Sequence, residues 1–530
     1  MKQVDRPLGT LSKGLIGFAF LAVSATGAFA GPVVKTSGGE VVGAQADGVS
    51  VFKGIAYAAP PVGSLRWREP QPARPWGRKD ATAFGPACIQ PASAAQDAAF
   101  GAPGPQSEDC LTLNVWTAAP RSRVGRPVMV WIHGGGFVSG AGSLPAYDGT
   151  TLAKNGAVVV TLNYRLGALG FFAHPALTTV SPRGPVNFGL LDQIAALKWI
   201  QRNIAAFGGD PGNVTIMGES AGAQSVLALY ASPLAHGLFH RGIAQSPYGI
   251  PSHSLAEARS AGIEVSRALG LPAESSSLTA LRAVPAESFA RISGRNQTLA
   301  PSLVYGDTVL PSTILDRFEH GQAAALPLLI GNNSNEASVA ELFGIDPASL
   351  VTNLGLAKIA VRLLFPTATD DADLARQAVR DSVFSAFVKR IADLNSRRAP
   401  SWRYYFDYLP EREQGSEPGV SHGGEIAFVL GTLDKTPAYQ SSSPGDKLVS
   451  QRMVAYWLAF ARTGRPDPAG EPDWLPSTPR LSRTMAFSGQ PELRTRFHES
   501  RLNILIGIIG VLGNILEHHD VPPRSSPNSV

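Results

Sequence analysis

A glycine-flanked serine between a strand pattern and a helix pattern constrains the fold of this chain more than any other feature. Residues 218–222 read Gly-Glu-Ser-Ala-Gly. The preceding residues, 214–217, form a short apolar run typical of a buried strand, and residues 223–230 fit a helix. Glycines on both sides of Ser220 permit the sharp turn that presents a serine hydroxyl above a sheet. The sequence therefore predicts a nucleophile elbow in an α/β fold, with Ser220 as the nucleophile.

The rest of the chain supplies the other elements of such a fold. Short apolar runs that fit buried strands recur at residues 128–132, 158–162, 242–244, 328–330 and 404–406. Apolar positions in residues 188–207 recur at helical spacing. Strands that alternate with helices favour a mainly parallel central sheet flanked by helices. Residues 255–400 are mostly helical and loop-like, and we interpret them as a helical insertion over the active site. Residues 90–107 are rich in Ala, Gly, Pro and Ser and predict a surface loop.

A second glycine motif, His-Gly-Gly-Gly-Phe at 133–137, directly follows the strand pattern at 128–132. Acyl transfer builds negative charge on a carbonyl oxygen, and each backbone N–H group aimed at that oxygen contributes about 3 kcal/mol of stabilisation. Glycines let the backbone come close to the reacting group. We therefore predict an oxyanion hole from the N–H groups of Gly135, Gly136 and Ala221.

A serine nucleophile needs a base, and the base needs an acid that orients it. In this class of fold the chain order is serine, acid, histidine. His422 lies in a glycine-flanked loop after the strand pattern at 404–406, whereas the other histidines beyond Ser220 lie near helix ends or in tails. For the acid, Glu336 follows a predicted strand and Asp307 lies in another loop. The spacing favours Glu336 but leaves Asp307 open.

The first 30 residues have the pattern of a signal peptide. Lys2, Arg6 and Lys13 are basic, residues 15–23 are apolar apart from one glycine, and residues 28–30 read Ala-Phe-Ala. We predict cleavage after Ala30 and a secreted or periplasmic location. The apolar stretch is too short to favour a stable membrane span.

The two cysteines, Cys88 and Cys110, are close in sequence, and in an exported chain this indicates one disulfide.

The formal net charge is +5, but no run of five or more Lys or Arg residues exists. Scattered basic residues predict a solvated surface, so no nucleic-acid partner is expected.

The C-terminal end is unusual. Residues 502–516 are apolar except for Asn503, Asn514 and three glycines. Fifteen residues are few for a bilayer span, so we expect a packed terminal helix, with binding to membrane surfaces as the alternative. We divide the chain into the signal peptide, a catalytic domain at 31–500, and an atypical segment and tail at 501–530.

Several motifs in one order, from about residue 33 to about residue 500, resemble the type-B carboxylesterase and cholinesterase family. They lie at residues 52–58, 65–67, 107–115, 131–137, 163–167 and 207–211, the last running into the Ser220 motif. The chain looks closer to the bacterial general esterases of this family, such as para-nitrobenzyl esterases, than to cholinesterases. One departure is at 335–337, where the family commonly has Asp-Glu-Gly and this chain reads Asn-Glu-Ala.

The resemblance implies an α/β-hydrolase fold and hydrolysis of a small-molecule carboxylic ester through a covalent acyl-enzyme, with no metal and no organic cofactor. It also decides between the two acids in favour of Glu336. The site that it implies consists of a Ser220, Glu336 and His422 triad, an oxyanion hole at Gly135, Gly136 and Ala221, and a disulfide between Cys88 and Cys110.

Two other classes of function compete with an esterase. Non-catalytic adhesion or carrier domains of this superfamily usually lose a triad member, and this chain keeps all three. A membrane-associated lipase would use residues 502–516 to bind an interface. The natural ester, its acyl and alcohol groups, and the number of subunits are left open by the sequence.

Overall fold

The computed structural model describes residues 31–508, apart from 179–183, 251, 296–301, 343–345, 353 and 356. The predicted signal peptide and residues 509–530 lie outside this described part.

Within the described residues, a single eleven-stranded sheet forms the centre of the molecule. Its strands in chain order are β1 Ala44–Ala46, β2 Val49–Ala56, β3 Thr112–Thr117, β4 Arg126–Ile132, β5 Val158–Leu162, β6 Gly209–Glu219, β7 Arg241–Gln245, β8 Leu328–Asn333, β9 Ser401–Phe406, β10 Arg483–Phe487 and β11 Pro491–Thr495. Their order across the sheet is β11-β10-β9-β8-β7-β6-β4-β5-β3-β2-β1. The strands from β10 to β5 are parallel, and antiparallel strands flank them at both edges. The predicted mainly parallel sheet is confirmed.

Smaller strands pair outside the central sheet at Val33–Thr36, Gly39–Val42, Arg78–Asp80, His253–Ser254 and Val304–Tyr305. The α-helices of the described chain are Ala94–Phe100, Thr150–Lys154, Gly167–Gly170, Pro175–Thr178, Phe188–Asn203, Ala221–Ala231, Leu255–Ala268, Leu278–Ala283, Ala286–Arg295, Ile314–Glu319, Ser338–Leu342, Pro347–Thr352, Ala357–Leu364, Asp371–Val379, Ala386–Asn395, Ile426–Leu430 and Pro444–Thr463. A π-helical turn, Arg380–Ser385, joins two of them, and a further helix covers residues 499–508.

Alternation along β4 shows how the sheet divides the core into two layers. Val130 packs in the layer that contains the helices Phe188–Asn203 and Ala221–Ala231. Its neighbour Trp131 points to the opposite face and packs in the layer that contains Pro444–Thr463. Successive strand side chains point to opposite faces, so a strand covered on both sides must be apolar throughout. The continuous apolar runs in the sequence have this cause.

The helices between β7 and β9 form two groups, because β8 lies between them in sequence. The predicted insertion at 255–400 therefore contains one core strand as well as helices. The second group includes the π-helical turn, whose Phe384 ring lies 5.4 Å from the ring of His422.

The predicted surface loop at 90–107 is wrong in part, because it contains the helix Ala94–Phe100. Ser93 is its N-cap, and the Ser93 hydroxyl accepts a hydrogen bond from the N–H of Gln96 at 3.3 Å. A serine cap followed by several alanines is a helix start, and the high Ala, Gly and Pro content of the segment concealed it.

Cys88 and Cys110 form a disulfide, and both residues are buried in the core. The bond joins positions separated by 22 residues. Closing a loop of that length restricts the unfolded chain and contributes about 3 kcal/mol to the free energy of unfolding. The predicted pairing is confirmed in the structure.

The helix at 499–508 packs on the body of the protein through Leu502 and Leu505, which are buried in a small cluster with Phe365 and Leu374. The expected packed terminal helix is thus found for the described part of residues 502–516. Among the described residues, no helix combines the length and the apolar character that crossing a membrane requires.

Candidate active site

Ser220 stands at the turn between β6 and the helix Ala221–Ala231 in a strained backbone conformation, with φ 56° and ψ −122°. Its N–H donates to the carbonyl oxygen of Gln245 at 2.9 Å, which ties the turn to the end of β7. A left-handed backbone at a non-glycine residue costs about 1–3 kcal/mol and persists only where its surroundings hold it. The turn has the form expected of a nucleophile elbow.

The two glycines of this turn are needed for close approach to β4. A Cβ atom at Gly218 would lie 2.5 Å from the carbonyl oxygen of Ile132, and one at Gly222 would lie 2.1 Å from the same atom. Both distances are too short for any side chain, so the strand and the helix can pack this tightly only with glycine at both positions.

His422 and Glu336 meet in a short hydrogen bond, with His422 Nδ1 2.5 Å from Glu336 Oε2. The other carboxylate oxygen, Oε1, accepts from the Ser246 hydroxyl and from the N–H of Asn333, each at 2.6 Å. Both oxygens of this fully buried acid are therefore engaged, which fixes its orientation and that of the imidazole.

Two loops bring these side chains together. A parallel β-bridge joins Asn335 and Ser421, and the Asn335 N–H donates to the carbonyl oxygen of Val420 at 2.9 Å. The N–H of His422 donates to the Ser338 hydroxyl at 2.8 Å. The loops that follow β8 and β9 thus continue the parallel alignment of those strands beyond the sheet.

The second imidazole nitrogen of His422, Nε2, faces the residue before Ser220. It lies 3.1 Å from Glu219 Oε1, which is an ion-pair distance, but the angles are not those of a hydrogen bond. Among the described residues, no hydrogen bond joins Ser220 to His422. Hydrogen bonds of this kind are often long or misaligned before a substrate is bound and tighten in the complex.

Buried carboxylates surround this imidazole. Burial, opposed by His422 and reinforced by Glu425 and Glu336, raises the pKa of Glu219 to about 8. Burial lowers the pKa of His422, but the negative charges of Glu219 and Glu336 outweigh it and raise that pKa to about 9. Because the two groups are so close, Glu219 and His422 titrate as a pair.

Three residues of this site received no catalytic role from the sequence: Glu219, Ser246 and Glu425. Glu219 is part of the serine motif, and Glu425 lies three residues after His422 in the same glycine-flanked loop. Glu425 accepts from Asn333 Nδ2 at 2.6 Å, and its pKa is raised by burial. Ser246 had no detectable signal, since a lone serine after a strand is common.

The glycine-rich loop after β4 lies beside the elbow. A Cβ atom at Gly134 would be 3.2 Å from Ser220 Cβ, and Gly135 and Gly136 adopt φ values of 101° and 61° that favour glycine. The third predicted donor, Ala221, opens the helix after Ser220. In the part of the chain that the structure describes, none of the three N–H groups donates to another protein atom. Donors in this state can serve a ligand oxygen.

Asp307, the rival acid, is occupied elsewhere. Its Oδ1 accepts from the N–H groups of Val309 and Leu310 at 2.9 and 2.7 Å, and its Oδ2 accepts from Val186 N–H and Asn187 Nδ2 at 3.0 and 2.9 Å. Burial raises the pKa of this carboxyl group. These hydrogen bonds hold two chain segments together, and none of them joins Asp307 to a histidine.

No group of three or more potential metal ligands lies together in the described residues.

Comparison with known proteins places this geometry in a family. The model of the carboxylesterase family matches residues 30–358 and 366–505. The chain belongs to the carboxylesterase family. It is a carboxylic ester hydrolase with the α/β-hydrolase fold, as its relatives and structural neighbours show.

Two curated relatives of this carboxylesterase-family chain are bacterial esterases. The fumonisin B1 esterase of Sphingopyxis macrogoltabida is 36% identical over 485 residues, which cover 86% of each chain. The para-nitrobenzyl esterase of Bacillus subtilis is 37% identical over 455 residues, covering 82% of this chain and 90% of the relative. Among solved structures, a para-nitrobenzyl esterase matches 89% of this chain and 99% of its own, with 34% identity and a TM-score of 0.78.

We expect Glu219→Gln to lower the pKa of His422 by about one unit, because it removes a negative charge that favours the imidazolium form. The measurement is an NMR titration of histidine-labelled protein, with the His422 signal assigned from His422→Gln. Glu319→Gln, which alters an exposed ion pair with Arg390, is the matched control and should leave the titration unchanged. An unaltered His422 pKa in Glu219→Gln would mean that Glu219 carries no charge beside the imidazole.

Proposed function

We propose that this chain is an exported serine carboxylesterase that acts through Ser220, His422 and Glu336 and forms a covalent acyl-enzyme. The observation that carries the proposal is the 2.5 Å hydrogen bond between His422 and Glu336 beside the strained turn of Ser220. Membership of the carboxylesterase family supports the class of reaction. The proposed catalytic domain spans residues 31–500, preceded by the signal peptide and followed by the C-terminal segment 501–530.

In the proposed first half-reaction, Ser220 Oγ attacks the carbonyl carbon of the ester while His422 Nε2 takes the hydroxyl proton. Glu336 holds the imidazole in the tautomer that leaves Nε2 free to accept, and it stabilises the imidazolium that forms. Negative charge collects on the former carbonyl oxygen. The N–H groups of Gly135, Gly136 and Ala221 are the proposed donors to that oxygen.

Collapse of this intermediate expels the alcohol, which leaves with the proton held by His422, and the acyl group stays on Ser220. A water molecule then attacks the acyl carbonyl as His422 takes one of its protons. The second collapse releases the carboxylic acid and returns the proton to Ser220. Each proton transfer in the proposed reaction passes through His422 Nε2, so turnover requires a fixed orientation of the imidazole.

The proposed substrates are small-molecule carboxylic esters. Two relatives are named for compounds as different as fumonisin B1 and para-nitrobenzyl esters. Chromogenic p-nitrophenyl esters with acetyl to octanoyl groups are therefore the practical first substrates, and they also rank acyl length.

Export is the part of the proposal that rests on the N-terminus. The basic start, the apolar stretch and the Ala-Phe-Ala site support cleavage after Ala30. The Cys88–Cys110 disulfide supports an oxidising compartment. N-terminal sequencing of protein recovered from the periplasm or the medium should begin at Gly31, whereas an intact start in that fraction would contradict cleavage.

Ser220→Ala should lower kcat for p-nitrophenyl butyrate by a factor of about 10⁵ or more while the protein stays folded. A fluorophosphonate probe should label the wild-type protein at one equivalent, on Ser220, and leave the variant unlabelled. Circular dichroism and thermal unfolding of both proteins provide the control for folding. Residual turnover near the wild-type level would exclude Ser220 as the nucleophile, and an unlabelled, inactive wild type would favour a non-catalytic domain.

The two candidate acids should respond in opposite ways to neutralisation. Glu336→Gln should lower kcat by about 10⁴, because the amide favours the wrong tautomer of His422 and cannot stabilise imidazolium. Asp307→Asn should keep kcat within about twofold and lower the free energy of unfolding by about 1–3 kcal/mol through weakened loop hydrogen bonds. Steady-state kinetics and urea unfolding measure the two effects. The reverse pattern would make Asp307 the acid.

A further inference from the structure

The π-helical turn Arg380–Ser385 connects the site to a charged cluster on its far side. At one end, the Phe384 ring lies 5.4 Å from the ring of His422 and 6.4 Å from that of Tyr248. The carbonyl oxygen of Val383 accepts from the N–H of Gly249 at 2.7 Å. Phe384 is buried, so its ring is part of the wall against which His422 is held.

The same turn carries a buried carboxylate, Asp381, that is held by cations from two segments. Arg380 Nε lies 2.7 Å from Asp381 Oδ1, and Arg501 Nε lies 2.7 Å from Asp381 Oδ2. His498 Nδ1 is 3.9 Å from that second oxygen and accepts from the Arg501 guanidinium. Arg380 also donates to the Tyr405 hydroxyl on β9 at 3.3 Å.

Arg501 belongs to the helix at 499–508, so its ion pair with Asp381 links the C-terminal helix to this turn. Its guanidinium also lies over the ring of Phe365, 4.8 Å from the centroid. Asp381 is almost completely buried, and a buried carboxylate is stable only where charges and hydrogen bonds compensate it. Removal of Arg501 takes away one of its two arginine partners.

A π-helical turn makes wider hydrogen-bonded rings than an α-helix, is rare, and frequently lies at functional sites. We propose that Arg501 is a positioning residue for the hydrolytic site: by holding Asp381, it fixes the turn that sets Phe384 against His422. The inference rests on the proposed role of His422 as the base. It gives the C-terminal helix a part in turnover through Arg501, whose side-chain partners are Asp381, Phe365 and His498.

The test is a double-mutant cycle on the full mature chain with Arg501→Met and Phe384→Leu. Arg501→Met removes the charge and keeps an apolar stem, and it should lower kcat for p-nitrophenyl butyrate five- to tenfold with KM changed less than twofold. In the Phe384→Leu background, Arg501→Met should lower kcat less than twofold, because the contact between Phe384 and His422 that Arg501 maintains is already altered.

Two further variants separate positioning from general stability. Arg501→Lys keeps the charge and should restore kcat to within about threefold of wild type. Arg496→Met, at an exposed arginine 3.7 Å from Glu499, should leave kcat unchanged. All assays are run well below the lowest unfolding midpoint, and if Arg501→Met does not fold, Arg501→Gln takes its place in the cycle.

The inference is overturned if Arg501→Met lowers only the unfolding midpoint and leaves kcat within twofold of wild type. It is equally overturned if Arg501→Met reduces kcat by the same factor in both backgrounds, because the two side chains would then act independently. The proposed function is tested separately, and it fails if the Ser220→Ala variant is active. If the activity of the wild type depends on Ser220 but Arg501→Met has a normal kcat, only the positioning role of Arg501 is rejected and the proposed function stands.

Discussion

The carbonyl oxygen of Ile132 occupies the space in which side chains at positions 218 and 222 would begin. Glycine at both positions lets β4, β6 and the helix after Ser220 pack at backbone contact. The loop that follows Ile132 then runs directly beside the elbow, with the Cβ position of Gly134 only 3.2 Å from Ser220 Cβ. One steric constraint thus builds the strained turn and brings the candidate oxyanion donors next to it.

Buried carboxylates determine the electrostatic environment of His422, on the other side of the site from the elbow. Glu336 and Glu425 are buried, and hydrogen bonds from Ser246, Asn333 and Gln245 compensate them. Within the described residues, neither of these two carboxylates forms an ion pair with a lysine or arginine. Their negative charge therefore acts on His422 without competition from a fixed cation, and it favours the protonated imidazole that forms during turnover.

Local sequence patterns predicted the elements whose cause is local. The pattern at residues 158–162 predicts a strand, and β5 has the same bounds, since a continuous apolar run with four β-branched residues fits a strand buried on both faces. Apolar positions at helical spacing in residues 188–207 predict helical structure there, and the α-helix ends at Asn203, where a 3₁₀ turn completes the segment. The loop prediction at 90–107 is wrong in part, because Ser93 caps the helix Ala94–Phe100.

The sequence by itself determined the α/β class, the turn at 218–222 and the short set of residues from which a site could be built, because burial periodicity and backbone strain are properties of neighbouring residues. Spacing alone leaves Glu336 and Asp307 open, and the family resemblance favours Glu336. Only the tertiary structure decided how that acid meets His422, because the register of β8 beside β9 brings Asn335 next to Ser421. The partners of Asp381 were decided in the same way, since Arg501 reaches it from a helix distant in sequence. Such contacts depend on how separate elements pack, and no local pattern encodes that.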